Sequence, residues 1–251
     1  MGTDRTTAFV GMAPGRAMLM CTVLLAGLCG VARSAELAPL ADADRPDSAW
    51  HRVGLPRQHK PSTRYAVVTL DGERVLEVEA DNSYGNLVHT LAAAASVPGQ
   101  LAWRWRVDQP NRLADLRRRD GDDSAIKVCA MFDLPDKAVP FFERQFLKLA
   151  RELAGERLPA ATVCYVWDAR LPAGTVVENP FSRRVRSIVL QGASDPIHVW
   201  RPERRDLAAD FLRLFGDEAT EVPPLRAVAI GADADNTHGR SLAHIADLAL
   251  Q

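Results

Sequence analysis

The residues best equipped for chemistry lie near the end of the chain, where an apolar run, Arg226 to Ala232, breaks into Asp233-Ala-Asp235-Asn236-Thr237. Val228 and Ile230 are β-branched and suit a strand, whereas Gly231, the aspartates and the asparagine favour a turn. Two carboxylates and an amide oxygen at a strand end form an oxygen-rich set that fits a hard cation, so Asp233, Asp235 and Asn236 are the candidate ligands for Ca2+. An EF-hand loop is excluded. With Asp233 as its first position, the sixth residue is His238 where glycine is needed, and the twelfth is His244 where a bidentate glutamate is needed. Two readings stand side by side: an Asx-type turn that reverses the chain, and a calcium site completed by ligands from other loops.

A second set is a charged surface with rings. Leu101, Trp103, Trp105 and Val107 alternate with Ala102, Arg104 and Arg106, and Ile126, Val128, Ala130 and Phe132 alternate with Lys127, Cys129 and Met131. If these strands are neighbours, Arg104, Arg106, Asp123 and Lys127 meet on one face, with Tyr165 and Trp167 offering flat rings. That combination suits a glycan or another polar ligand, whose C–H faces pack on rings while its hydroxyls take hydrogen bonds. The plain alternative is a solvated face of cross-strand ion pairs. Trp103 and Trp105 fall on the apolar side and belong to the core.

Enzyme signatures are largely missing: the sequence holds no G-x-S-x-G, no HExxH, no paired CxxC and no phosphate-binding glycine loop. Asp122 and Asp123 are carboxylates of the kind a hydrolase or lyase uses, although acidic pairs in turns are common.

The elements that must position these groups read mainly as strands. Arg64–Leu70 and Arg74–Ala80 flank Asp71-Gly72, a hairpin signal. Further strands are expected at 87–91, 101–107, 125–132, 163–167, 185–190 and 197–200. Two helices interrupt them. One carries Phe142, Phe146, Leu149 and Leu153 at helical spacing; the other starts at Pro202, buries Leu207, Phe211, Leu214 and Phe215, and ends at Gly216. The tail, 243–250, fits a helix or a strand, and a strand is preferred because a sheet edge needs covering.

Residues 1–35 have the layout of a secretory signal peptide: Arg5 and Arg16 precede an apolar run, Ala17 to Ala32, followed by small residues. An uncleaved anchor is the alternative, but the run is short for a span of about 20 residues. Of 31 basic and 32 acidic residues, three (Arg5, Arg16, Arg33) and one (Asp4) lie in that segment, leaving 28 against 31. A mildly acidic domain gives no sign of nucleic-acid binding. No membrane span remains after signal cleavage, so a periplasmic or secreted location is expected. Cys129 and Cys164 remain and could form a disulfide or stay as buried thiols. Residues 36–49 read as a linker and 50–251 as a single domain.

Several motifs in order carry a family resemblance: Trp103-Arg104-Trp105-Arg106, Asp122-Asp123, Tyr165-Val166-Trp167, Asn179-Pro180, Arg205-Asp206 with Asp210, Phe215-Gly216, and Asp233 to Thr237. From about Trp50 onward the chain resembles a family of exported bacterial proteins classed as a domain of unknown function, with Lys127 standing where an arginine is expected. The resemblance implies a mainly β, jelly-roll-like antiparallel β-sandwich with two helical insertions, of the sort seen in carbohydrate-binding modules. The expected function is an exported binding module for a glycan or other polar ligand. An envelope polysaccharide hydrolase or lyase and a non-catalytic envelope scaffold are the alternatives.

Overall fold

The computed structural model describes residues 1–2, 36–54, 58–95, 99–154 and 158–251, and the sandwich lies in the compact unit Ser34–Gln251. The signal-peptide expectation falls on residues outside those described. The strands are β1 (Trp50–Val53), β2 (Arg64–Leu70), β3 (Glu73–Asp81), β4 (Tyr84–Ala95), β5 (Gln100–Gln109), β6 (Ser124–Phe132), β7 (Ala161–Trp167), β8 (Val176–Glu178), β9 (Val185–Gln191), β10 (Arg201–Asp206), β11 (Leu225–Asp233) and β12 (Arg240–Leu250). The helices are α1 (Phe141–Ala154) and α2 (Leu207–Phe215).

A seven-stranded sheet runs in the order β1-β4-β11-β6-β7-β9-β8, and a five-stranded sheet in the order β10-β5-β12-β3-β2. Pairing is antiparallel except between β7 and β9. The two sheets bury one core. Leu76, Val78, Ala80, Leu101, Trp103, Trp105 and Val107 meet Ile126, Val128, Phe132, Val163, Tyr165, Val228 and Ile230. The strict period-two patterning of β5 and β6 therefore means what it should: every second side chain lies between the sheets. The β2–β3 hairpin turns at Asp71 and Gly72, both at positive φ (54° and 85°), which is why an Asp-Gly pair stands there.

Several expectations need correction. Residues 36–49 are not a free linker: Leu37 and Leu40 join the core, the Trp50 indole donates to the Ala38 carbonyl at 2.9 Å, and the Ala38 amide donates to His89 at 3.1 Å. Pro202 does not start a helix. It lies in β10, opposite Arg104, on an edge strand where a missing N–H costs nothing. The helix begins five residues later, where the Asp206 carboxylate caps the Ala209 amide at 2.9 Å. Residues 197–200 form bends rather than a strand, with His198 at φ 61°. The tail is a strand, but it lies at the centre of the five-stranded sheet. Its ambiguity in sequence has a cause: a bulge between Ala246 and Ala249, with Asp247 at φ 56°, shifts the alternation so that Ala243, Ile245 and Leu248 all point inward.

Cys129 and Cys164 face each other across β6 and β7 and are disulfide-bonded. They lie on the outer face of the larger sheet, in a second apolar cluster with Val88, Leu116, Val166 and Val189. Among the described residues no helix is long and apolar enough to cross a membrane.

Candidate functional site

At one end of that outer face the apolar cluster gives way to polar side chains. Their placement follows from register. Asn86 on β4, Gly231 on β11 and Lys127 on β6 form one row, and Tyr84, Asp233 and Ser124 form the next. The β6 pairing slips between the two rows, a bulge that brings Ser124 opposite Asp233. Gly231 makes room for this packing: a Cβ there would press on Asn86 Oδ1 and come within 2.7 Å of Lys127 Cε, so both side chains would have to shift, and its absence lets the lysine stem lie flat across the sheet.

Lys127 Nζ donates to Asp233 Oδ2 at 2.6 Å and stands 5.9 Å from the centre of the Tyr84 ring. Burial alone would lower the ammonium's pKa. The Asp233 carboxylate, with Tyr84 and Asp122 behind it, outweighs burial and holds it above the usual lysine range. Asp233 Oδ1 accepts from the Ser124 amide and hydroxyl at 2.7 and 2.9 Å. Asn86 Nδ2 donates to the Tyr84 hydroxyl at 3.2 Å, and burial pushes that phenol up.

Asp122 is the unusual member. Its carboxyl is pushed up to about 6, chiefly by burial, with Asp233 and Asp123 adding repulsion against the pull of Lys127 and the Asn179 amide. Asn179 Nδ2 donates to Asp122 Oδ2, while the asparagine's own oxygen caps the amides of Phe181 and Ser182 at 3.0 and 3.1 Å. A half-buried acid bonded to an amide and facing an ammonium, which in turn stands beside the Tyr84 ring, is an arrangement able to donate and accept hydrogen bonds at once.

Beneath this patch the turn after β11 is tied down by Asp123. This carboxylate is fully buried and accepts from the Thr237 amide (2.8 Å) and hydroxyl (2.6 Å) and from the Asn236 amide and side chain (3.2 Å each). Asn111 adds a bond to Thr237 at 2.9 Å. Asp123 therefore holds the turn and is closed to a ligand, correcting its place in the expected charged face.

The residues expected to hold calcium lie beside two ammonium groups. Asp233 pairs with Lys127, Asp235 Oδ2 pairs with Lys60 at 2.9 Å while its buried Oδ1 takes no hydrogen bond among the described residues, and the Asn236 side chain donates to the Asp122 carbonyl at 3.1 Å. The two ammonium groups supply the positive charge that a cation would bring. Among the described residues no cluster of three or more histidine, cysteine, aspartate and glutamate side chains could hold a metal ion.

The remaining expected ligand residues do not assemble. Arg104 and Arg106 lie on the outer face of the five-stranded sheet, a different surface from Lys127. There they form the plain alternative, a network of ion pairs: Arg104 with Glu73 and Asp247, and Arg106 with Asp108 (2.8 Å) and Asp71 (3.2 Å). Trp200 covers them, its ring 4.6 Å from the Arg104 guanidinium. Tyr165 and Trp167 are buried between the sheets. Tyr165 donates to Asp210 at 2.9 Å, which in turn takes both arms of Arg205, and Trp167 packs edge-on against Trp105. The alternation of β7 was misread because every residue of that strand is buried, so polarity does not mark the faces.

Tyr84, Asn86 and Lys60 were missed as site residues. The first two sit at the mouth of a strand with no motif around them, and only the pairing of β4 with β11 reveals them.

These features define a jelly-roll-like antiparallel β-sandwich with a polar patch on its larger sheet. The chain belongs to the family described as "Protein of unknown function (DUF3047)", whose model matches residues 48–249. No curated protein matches it. Among solved structures it is similar to a family 11 carbohydrate-binding module from Clostridium thermocellum in complex with a β-1,3-1,4-mixed-linked tetrasaccharide (7% identity, 80% of this chain and 88% of that one, TM-score 0.36). It is also similar to the endoglucanase cel12A of Rhodothermus marinus (11%, 80% and 95%, TM-score 0.39) and to the xyloglucanase domain of NopAA from Sinorhizobium fredii (8%, 81% and 96%, TM-score 0.37).

Proposed function

We propose that this chain is an exported binding module that takes a glycan, or a ligand similarly rich in hydroxyl groups, on the patch formed by Tyr84, Asn86, Asp122, Lys127 and Asn179. The observation that carries the reading is the convergence, at one end of the larger sheet, of Lys127, Tyr84 and Asn86 from its strands with Asp122, an acid held near neutrality, and Asn179 from the adjoining loops. Such a set offers each sugar hydroxyl both a donor and an acceptor, and the Tyr84 ring offers a surface for C–H groups. Export is supported by the leader-like N-terminus in the sequence and by the Cys129–Cys164 disulfide, which suits an oxidising compartment.

Titration calorimetry of residues 34–251 against soluble β-glucan, mannan, chitosan and alginate tests this. At least one is expected to bind in the micromolar to millimolar range, with Lys127→Met weakening it about tenfold through loss of charge-assisted bonds. A folded protein that binds none of them at millimolar concentration would overturn the reading.

The raised Asp122 carboxyl favours a second reading, an envelope hydrolase or lyase in which Asp122 is the general acid, since such acids titrate near the working pH. Turnover of the same polysaccharides, lost in Asp122→Asn while binding persists, would establish it; binding without turnover would leave the module.

A further inference from the structure

Helix α1 carries its amphipathic pattern the wrong way round for a core helix. Leu147 is buried against the sandwich, but Phe141, Phe142, Phe146 and Leu149 are 60%, 76%, 71% and 53% exposed. The helix cannot simply roll to hide them. Arg151 is fixed to Asp136 and to the Leu158 carbonyl, both at 2.9 Å, and Glu143 reaches the buried Arg184 at 3.6 Å. The side that faces the body is thus held by charged groups, while the side with the most apolar surface faces water.

We propose that α1 is the two-fold contact through which a second copy of this chain pairs. Three observations fix that occupant. The exposed apolar positions 142, 146 and 149 are spaced four and three apart, the seam of a two-helix contact. A seam of this kind is self-complementary, as an isologous interface requires. With side chains of roughly 200 Å2, these three residues and the neighbouring Phe141 present about 500 Å2 of apolar surface, at the upper end of what a monomer shows and more than half of the ~800 Å2 per partner of a standard interface. The flank supplies the rest from Gln145, Lys148 and Glu152, all exposed. A lipid surface fits less well, because a helix that lies on a bilayer is rich in basic residues beside its apolar face, and here Arg144 and Lys148 exceed Glu152 by only one charge. The pairing is independent of the ligand patch, which lies on other elements.

Sedimentation velocity of residues 34–251 over a concentration series, with and without Phe142→Glu plus Phe146→Glu, is the test. Both positions are exposed, so the circular dichroism spectrum and melting midpoint of the double variant are expected to match the parent. The parent is expected to pass from monomer to dimer with a midpoint on the order of 10–100 μM, and the variant to stay monomeric at concentrations at least tenfold higher. A parent that is monomeric at about 1 mM, a variant that dimerises like the parent, or a monomeric parent that binds phosphatidylcholine–phosphatidylglycerol vesicles while the variant does not, would each overturn the proposal.

Discussion

Removing the Asp123 carboxylate tests how the loop end of the sandwich is held. In the folded chain it accepts four bonds of 2.6 to 3.2 Å from Asn236 and Thr237 and is closed to water. Asp123→Ala strands two backbone amides, a hydroxyl and a side-chain amide. A bond to a charged acceptor contributes about 1.5–3 kcal/mol, and the four are not additive, because the turn relaxes and admits water once the first is lost. The expected cost is about 3–5 kcal/mol, a large part of the roughly 5–15 kcal/mol that holds a domain together. For a chain of this size the loss corresponds to about 10–15 °C in melting midpoint. Asp123→Asn keeps one acceptor oxygen and should cost about half as much. Urea unfolding monitored by tryptophan fluorescence measures both. A loss below about 1 kcal/mol for Asp123→Ala would refute the clasp and reopen Asp123 to a role in binding.

The other expectations concern the same face. Asp122 sits near 6 in the folded chain against 3.8 ordinarily, so the folded state holds the extra proton between those values and stability falls as pH rises through that window. The penalty reaches at most about 3 kcal/mol above pH 6, so Asp122→Asn is expected to raise the midpoint at about pH 8 and leave it unchanged near pH 3; equal effects at both would refute the assignment. Calcium at millimolar concentration, or EDTA, is expected to leave the melting midpoint unchanged, since Lys127 and Lys60 already neutralise Asp233 and Asp235; a rise with calcium that Asp233→Ala abolishes would contradict this. Reduction of the Cys129–Cys164 bond opens a loop with a separation of 35 residues and is expected to cost about 3–4 kcal/mol. A midpoint unmoved by reductant in the unfolding assay would show that the bond does not form.

How much of this was legible in the sequence depends on whether a residue's neighbours are set locally or across sheets. The alternation of Trp103 and Trp105 against Arg104 and Arg106 is local, and it gave both the strand and its buried face. The Asp71-Gly72 turn is local too. Assigning Arg104 and Lys127 to one surface needed the strand order, and the chain places β5 and β6 in opposite sheets although they are consecutive. Pro202 misled because edge position, which makes a proline tolerable in a strand, is a property of the sheet. The oxygens of the Asp233 turn are local in sequence, yet their counter-charges, Lys127 and Lys60, come from 106 and 175 residues away. A carboxylate cluster in sequence cannot show whether a metal or a lysine will answer it. The motifs carrying the family resemblance fared better together than apart. Asp122, Asp123, Asn179, Asn236 and Thr237 converge on one end of the larger sheet, while Tyr165, Arg205 and Asp210 form a separate buried knot.

The claim on which the functional reading stands is that ligand occupies the larger sheet's polar patch, and amide chemical-shift mapping locates it directly. Titration with whichever polysaccharide binds should move the resonances of Tyr84, Asn86, Lys127, Asn179 and Gly231 while those of Arg104, Arg106 and Trp200 stay in place. Shifts gathered on Arg104, Arg106 and Trp200 instead would put the ligand on the five-stranded sheet and contradict the assignment.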